Sequence, residues 1–457
     1  MSAAGEHRVR TYAIRTFGCQ MNKHDSERIA GLLEATGYRP AYSLEAADVI
    51  VFNTCCVRET ADDRLYGQVS SLKALKTGGR PDVIIAVGGC IGQRDGVAVL
   101  RRAPHVDVVF GTHNIHELPG LIAAAREGRD AIRVLPAGEA FASDLPSVRE
   151  DRWHAWVSIT VGCDNHCSYC IVPAVRGAER SRAAEDIVTE VAALVADGVL
   201  EVTLLGQNVN SYGRDRYGKP RFAALLRDVA ATGIERIRFA TSHPKDLSAD
   251  TIAAMADLPT MMPYLHLPVQ AGSNRILAAM NRNYTRESYL ELARRIRDAV
   301  PGIALSTDII VGFPGETDED FKGTYDLVER VAFEHAFTFI YSPREGTPAA
   351  ALGGGVPHEV TRARFDRLAE LVRSLSLAAN DREVGTVRRV LLEGPSKRDS
   401  DVVSGRTPHN RLVHVPLTGE LRAEELVGAL ADVRITAAHP WFLSGEFVDR
   451  YVDAPGC

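Results

Sequence analysis

Long apolar runs are what this sequence most plainly lacks. No stretch approaches the roughly eighteen residues needed to cross a bilayer, which excludes a membrane-spanning helix from the reading. The opening segment, MSAAGEHRVR, holds no apolar stretch of the kind a secretory signal requires, so a cytoplasmic chain with no membrane partner is expected. Basic excess is missing too. With 53 Lys and Arg against 59 Asp and Glu the net charge is −6, which announces no polyanion partner, although a local basic face can sit on an acidic protein. Aromatic residues make up only 7% of the chain, so platforms on which a base could stack are few. Disulfides are not needed either: 457 residues suffice for several domains with cores of their own, and the eight cysteines would stay reduced in a cytoplasm. The last scarcity is the most informative. After Cys170 no cysteine follows until the terminal Cys457, so the stretch GCDNHCSYC presents three thiols, at Cys163, Cys167 and Cys170, and no fourth.

The other cysteines sit in a repeat. In residues 8–140 apolar strands end at a cysteine and are followed by helix-like stretches: TYAIRTF before Cys19, DVIVFNT before Cys55 and DVIIAVGG before Cys90, at spacings of 36 and 35, with VDVVFGT as a fourth strand. Alternating strands and helices predict a parallel sheet, whose carboxyl ends share one edge, so the repeat gathers three distant cysteines. Cys56 leaves the middle position ambiguous; Cys55, which ends the strand, is the expected member. Residues 136–151, rich in small, proline and acidic residues, read as a linker. Residues 150–380 then carry six further strands, HAWVSITVG, EVTLLGQNVN, RIRFATS, PYLHLPV, ALSTDIIVGF and AFTFIYS, separated by amphipathic stretches. They predict a partial (β/α)6 barrel with its chemistry at the strands' carboxyl ends, where Cys163, Gln207, Asn208, Ser242, His243, Gln270 and Asp308 fall. Residues 381–450 read as short strands with turns, a small antiparallel β-barrel. The fold class expected is therefore α/β, with a parallel sheet domain, a partial barrel and a terminal β-barrel.

Three thiolates without a fourth suit particular chemistry. A structural zinc site wants four ligands in a closed tetrahedron, which C-x3-C-x2-C alone leaves one short unless His166 or a remote group joins. A cubane iron–sulfur cluster held by three thiolates keeps one iron open. That iron can chelate the amine and carboxylate of S-adenosylmethionine, and an electron then releases a 5′-deoxyadenosyl radical. Tyr169 offers an aromatic face beside such a cofactor. The bland alternative, three small buried cysteines, sits poorly with neighbours Asp164, Asn165, His166 and Ser168.

These residues carry a resemblance. FGCQMNKHDSE, NTCCVRE, VGGC, GCDNHCSYCIVPAVRGAERSR, LLGQNVNSYG, RFATSHPKD, HLPVQAGSNRILAAMNRNYT and STDIIVGFPGET resemble motifs of the radical S-adenosylmethionine methylthiotransferases over nearly the whole length. FGCQMN is similar to the tRNA branch rather than the ribosomal-protein branch, whose first motif usually reads GCPKN. The resemblance implies Cys163, Cys167 and Cys170 as ligands of a radical [4Fe–4S] cluster, and Cys19, Cys55 and Cys90 as ligands of an auxiliary [4Fe–4S] cluster that holds the sulfur to be transferred. It implies Gly206, Gln207 and Asn208 near the methionine end of S-adenosylmethionine and Val311 and Gly312 near its adenine; on residue type alone Gln207 and Asn208 read equally as a polar strand end in solvent. It further implies methylthiolation of N6-isopentenyladenosine in tRNA, a flavodoxin-like or ferredoxin-like electron donor, a sulfur donor the sequence does not name, and a monomer. Threonylcarbamoyl-adenosine or a ribosomal-protein aspartate is the alternative target, and a zinc-stabilised RNA-binding protein is the alternative of another class. Ala174 and Ala178 depart from the family's usual aromatic and arginine, which bears on local substrate contacts.

The terminal barrel resembles the TRAM module, which implies RNA binding, yet composition gives little support. Residues 381–419 hold seven Arg or Lys against five Asp or Glu, and the rest of the module reverses that excess. Arg388, Arg389, Lys397, Arg398, Arg406 and Arg411 are the candidates for one basic face. Trp441 and Phe442 are candidates for stacking, and core positions are the alternative for both.

Overall fold

Where the apolar residues of the first 136 positions point decides the first half of the structure. The computed structural model describes residues 8–56, 59–136, 145–417 and 422–448, so Cys457 and residues 137–144 of the expected linker lie outside the described residues. The chain divides into two units: Met1–Glu150 with Val161–His166 and Cys170–Arg180, and Asp151–Thr160 with Cys167–Tyr169 and Ser181–Cys457. The first unit carries β1 (Thr11–Thr16), β2 (Arg39–Pro40), β3 (Val49–Thr54), β4 (Ile84–Gly88), β5 (Val108–Phe110) and β6 (Ile132–Arg133), all parallel in the order β2-β1-β3-β4-β5-β6. Strand alternation sends Ile50, Phe52, Ile85, Val87 and Val109 into one core and Val49, Val51, Ile84, Ala86, Val108 and Phe110 into another. Both faces of the central strands are thus buried, as a parallel sheet requires.

Parallel pairing places the cysteines at one edge. Cys19 N-caps the helix Gln20–Ala35, Cys55 follows β3, and Cys90 is the second residue of the helix Gly89–Asp95 that follows β4. Gly18 has φ +136°, and a Cβ there would stand 2.4 Å from that of Cys55, so only glycine lets the two loops approach this closely.

In the second unit β7 (His154–Ser158) opens the six-strand run. Two-residue strands β8 (Thr160–Val161) and β9 (Arg180–Ser181) flank the cysteine loop in sequence. The run continues with β10 (Glu201–Leu205), β11 (Arg236–Phe239), β12 (Tyr264–His266), β13 (Ala304–Val311) and β14 (His335–Ile340). The sheets β7-β10-β11 and β12-β13-β14 are parallel and are joined by a bridge between Ile237 and Met261. The strands follow in sequence order, and among the described residues β7 and β14 do not pair, which gives an open (β/α)6 arrangement. Val157, Val202, Leu204, Ile237, Leu305 and Ile309 meet helical residues such as Val191, Leu226, Tyr289, Leu327 and Leu368 in the largest core. Capping boxes at Thr285 and Thr317 start the helices Arg286–Ala299 and Asp318–Val331.

The terminal barrel comprises β15 (Val387–Pro395), β16 (Val402–Arg406), β17 (Leu412–Pro416), β18 (Leu430–Ala438) and β19 (Leu443–Phe447), closed in the order β15-β16-β17-β19-β18. Four of its pairings are antiparallel and β17 with β19 is parallel, because an odd number of strands cannot alternate direction all the way round. Arginines of β11 clamp it to the six-strand run. Arg236 donates to the carbonyl of Arg389 (2.9 Å), and Arg238 to those of Thr407 and Pro408 (3.0 Å each), while Glu201 pairs with Arg238 Nε at 3.0 Å. Arg238 and Glu201 side chains are each 8% exposed, so removing Arg238 leaves the buried Glu201 charge with only Arg236, at 4.0 Å, beside it among the described residues. Arg238→Ala should therefore lower unfolding free energy by about 3–5 kcal/mol in urea titrations. Arg389→Ala, whose side chain is 45% exposed and 3.7 Å from Asp432, should cost less than about 1 kcal/mol.

Candidate metal centres and cofactor rim

At the sheet edge of the first unit the thiols pair in twos. Cys55 donates to Cys19, and this hydrogen bond, with help from the nearby Arg176 guanidinium, lowers the Cys19 thiol to about 6. Cys56 donates to Cys90, which lowers Cys90 to about 7 and, with burial, pushes Cys56 far up. Cys55 is 3% exposed, and Cys56 is fully buried among Phe52, Leu65, Val87 and Ile91. Asn22 and Asn53 brace the edge: Asn22 donates to the Thr54 carbonyl at 3.0 Å and Asn53 to the Asn22 carbonyl at 2.7 Å. No three His, Cys, Asp or Glu side chains among the described residues stand at metal-holding geometry, so the thiols are neighbours rather than a finished ligand shell.

Arg176, which sequence reasoning did not single out, is the charge at this edge. It is 5% exposed and donates to Asp25 at 2.8 Å. Burial works against its cationic form, yet Asp25, Cys90 and Cys19 together hold it charged. It arrives on the short helix Val172–Arg176, whose Val175 packs into the core shared with Cys56 and Cys90.

The three-cysteine loop is shared between the units, with Cys163 and Cys170 in the first and Cys167 in the second. Cys163 donates its backbone N–H to Gly177 (3.0 Å) and accepts from the N–H of Asn165 at 3.4 Å. In the second unit Cys167 is 8% exposed and accepts from Arg282 Nη1 at 3.4 Å. Arg282, 4% exposed, also donates to the Pro268 carbonyl (2.8 Å) and to Tyr284 Oη (2.9 Å), and no carboxylate among the described residues pairs with it. Burial opposes its charge, and hydrogen bonds to the Pro268 carbonyl, Tyr284 Oη and the Cys167 sulfur offset that cost. A buried cation without a carboxylate is a seat for negative charge, which an ionised thiol beside it would supply. Tyr169 packs half-buried against the cluster of Ala271, Leu277, Met280 and Phe313.

The carboxyl ends of β10 and β11 have buried polar atoms to spare. Asn208 is 1% exposed; its Nδ2 donates to Asp246 (2.7 Å), while its Oδ1 has no partner. Thr160 Oγ1, Asn210 Nδ2 and Ser242 Oγ are likewise buried without partners. Gly206 is buried, and a Cβ on it would stand 2.2 Å from Thr160 Oγ1, while Gln207 is half-buried. Unpaired buried groups are costly, so a rim holding four is shaped for a polar ligand. His243, 6% exposed, accepts from the Lys245 N–H at 3.2 Å and is pushed down to about 3, first by burial and then by Arg282, so it stays neutral. At the end of β13 Val311 is fully buried, and Gly312, with φ +74°, donates to Glu316 at 2.9 Å.

Residues 157–328 match the Radical SAM superfamily, residues 11–111 an uncharacterized protein family, UPF0004, and residues 381–448 the TRAM domain. The tRNA-2-methylthio-N(6)-dimethylallyladenosine synthase of Acidothermus cellulolyticus is 52% identical over 446 residues, covering 96% of this chain and 88% of the relative. That of Thermobifida fusca is 50% identical over 442 residues, covering 96% and 89%. The chain belongs to the tRNA-2-methylthio-N6-dimethylallyladenosine synthase family. Among solved structures, the radical S-adenosylmethionine methyltransferase TsrM from Kitasatospora setae shares the fold, with a TM-score of 0.54 at 15% identity over 75% of each chain.

Membership in the Radical SAM superfamily implies a [4Fe–4S] cluster and S-adenosylmethionine, and the soft thiol donors, the unpaired Arg282 cation and the unsatisfied rim fit that pair. The TRAM arginines of this synthase family member are largely spent on its own acids. Arg388 and Arg411 both engage Glu383, Arg406 engages Glu393 at 3.1 Å, and Arg389 faces Asp432. Lys397 and Arg398 stand exposed after β15. Trp441 is 51% exposed, and Phe442 stacks on His439 with ring centroids 4.2 Å apart. In the metal-free protein, iodoacetamide labelling read by peptide mass spectrometry should show Cys19 alkylation rising with a midpoint near pH 6, since a lowered thiol ionises earlier. Cys56, pushed up, should resist labelling throughout the neutral range; equal rates at the two would contradict the paired arrangement.

Proposed function

We propose that this chain inserts a methylthio group at C2 of N6-isopentenyladenosine beside the anticodon of tRNA, consuming two S-adenosylmethionine molecules. The observation that carries the reading is 50–52% identity to synthases named for that product over 96% of the chain, with both cysteine sets present. Cys163, Cys167 and Cys170 are the ligands of the radical [4Fe–4S] cluster, and Cys19, Cys55 and Cys90 those of an auxiliary [4Fe–4S] cluster. When bound, the first with S-adenosylmethionine supplies a 5′-deoxyadenosyl radical, and the second holds the sulfur to be transferred.

The chain's own residues orient these groups. Arg282 fixes the Cys167 sulfur and balances its charge, and Arg176 does the same for Cys19 and Cys90. Gly206, Gln207 and Asn208 would receive the methionine end, where the unpartnered Asn208 Oδ1 would accept an N–H of the amine. Val311 and Gly312 border the adenine. Cys55 is favoured over Cys56 as the middle ligand because Cys55 follows the strand end and bonds Cys19, whereas Cys56 is enclosed by apolar side chains. The electron donor is flavodoxin-like or ferredoxin-like, and the protein acts as a cytoplasmic monomer.

Nucleoside mass spectrometry of tRNA from a deletion strain with no second such enzyme tests the reading. The strain should lose 2-methylthio-isopentenyladenosine and accumulate isopentenyladenosine. Wild type and Cys56→Ala should restore the product, and Cys55→Ala should not. An unchanged nucleoside in the deletion strain would remove the proposed substrate, and restoration by Cys55→Ala but not Cys56→Ala would reverse the ligand choice.

A further inference from the structure

The Asn208 amide has two chemically different ends, and its surroundings decide which of them faces the rim. Nitrogen and oxygen fill nearly the same volume, so the choice falls to the hydrogen-bond partner. That partner is Asp246, on the short turn Pro244–Asp246 that follows β11. Asp246 Oδ2 accepts from Asn208 Nδ2 at 2.7 Å. A carboxylate only accepts, so it claims the nitrogen and turns the oxygen away; that oxygen is the buried Oδ1 without a partner.

The carboxylate is itself fixed. Its side chain is 3% exposed; Oδ1 accepts from Lys245 Nζ at 2.8 Å and from Arg214 at 3.2 Å, and Oδ2 accepts from Lys245 Nζ at 2.9 Å. Burial alone would favour the protonated form, but Lys245 and Asn208 outweigh it and hold the carboxyl below its ordinary value. Backbone bonds keep the two loops in place: the Val209 N–H donates to the Thr241 carbonyl and the His243 N–H to Asn210 Oδ1, each at 3.1 Å. Thr241, in the segment that leads from β11 to Asp246, has φ +69°, a left-handed conformation unfavourable for a β-branched residue. Such strain persists only where the surrounding structure over-determines the geometry.

We propose that Asp246 is a positioning residue for S-adenosylmethionine: by holding the Asn208 amide nitrogen it turns the amide oxygen toward the amine of the methionine end. This rests on the proposed place of that end at Gly206, Gln207 and Asn208. Asp246→Asn then does more than remove a charge. Both cations reach the Oδ1 position and only Lys245 reaches Oδ2, so the new amide keeps its oxygen at the first and turns its nitrogen toward Asn208. Asn208 answers with its own oxygen, and its nitrogen faces the amine, donor against donor. Exchanging the pair, Asn208→Asp with Asp246→Asn, restores an acceptor. The carboxylate at 208 takes the N–H of the amide at 246 and keeps its second oxygen for the amine.

Binding of S-adenosylmethionine, measured by equilibrium dialysis on the anaerobically reconstituted full chain, tests this. Asp246→Asn and Asn208→Ala should each weaken binding about tenfold or more, the scale of one hydrogen bond between the amine and its acceptor. The exchanged pair should recover most of the wild-type affinity, which a merely structural carboxylate would not bring about. Should Asp246→Asn fail to fold, the exchanged pair, with one carboxylate and one amide in the same volume, decides alone. An exchanged pair that folds without binding, or Asp246→Asn that binds like wild type while Asn208→Ala does not, would overturn the role of Asp246 and leave the proposed function standing. Asn208→Ala that binds as tightly as wild type would overturn the place given to the methionine end, and wild-type protein that binds no S-adenosylmethionine would overturn the proposed function; the role of Asp246 falls with either.

Discussion

A guanidinium taken out of water needs negative charge beside it, and two such guanidiniums organise this protein's chemistry. Arg176 is buried with Asp25 and acts on Cys19 and Cys90; Arg282 is buried with carbonyl, phenol and the Cys167 sulfur. Asp25 offsets the cost at Arg176, Arg282 has no carboxylate partner among the described residues, and both arginines favour charge on the thiols beside them. That is the condition under which sulfur binds iron. If the cysteine sets bind metal as proposed, the two arginines would fix the orientation and balance the charge of the sulfur ligands beside them.

The same accounting explains the terminal barrel. Arg236 and Arg238 spend their donors on its backbone carbonyls, and Glu383, Glu393 and Asp432 take up its own arginines. Charges that composition leaves as candidates for RNA thus serve first to build the fold. Aromatic surface is arranged differently: Trp441 and Phe337, scarce in a chain poor in aromatics, stay in solvent on one connected row with His335.

Much of this was legible in the sequence because it depends on local periodicity. Strands ending before Cys19, Cys55 and Cys90, and the six strands from His154 to Ile340, follow from apolar runs punctuated by helix-like stretches. The C-x3-C-x2-C spacing is likewise local. Arg176 and Arg282 were not legible, since the one meets Cys19 across more than a hundred and fifty residues and the other Cys167 across 115. Nothing in an isolated arginine says that it will be buried. Asn208 read equally as a solvent-facing strand end, and only tertiary packing reveals it as 1% exposed with an unsatisfied oxygen. The parallel β17–β19 pair follows from barrel closure, which strand patterns alone do not encode.

The central claim is that two cysteine sets make two separate metal sites. Iron content and 5′-deoxyadenosine formation, measured together after anaerobic reconstitution, test it most directly. Wild type should hold about eight irons per chain. Replacing Cys163, Cys167 and Cys170 by Ala should leave about four irons and abolish 5′-deoxyadenosine. Replacing Cys19, Cys55 and Cys90 should also leave about four irons but preserve 5′-deoxyadenosine. Wild-type protein that binds only zinc, or an N-terminal triple variant that keeps all of the wild-type iron, would contradict the account.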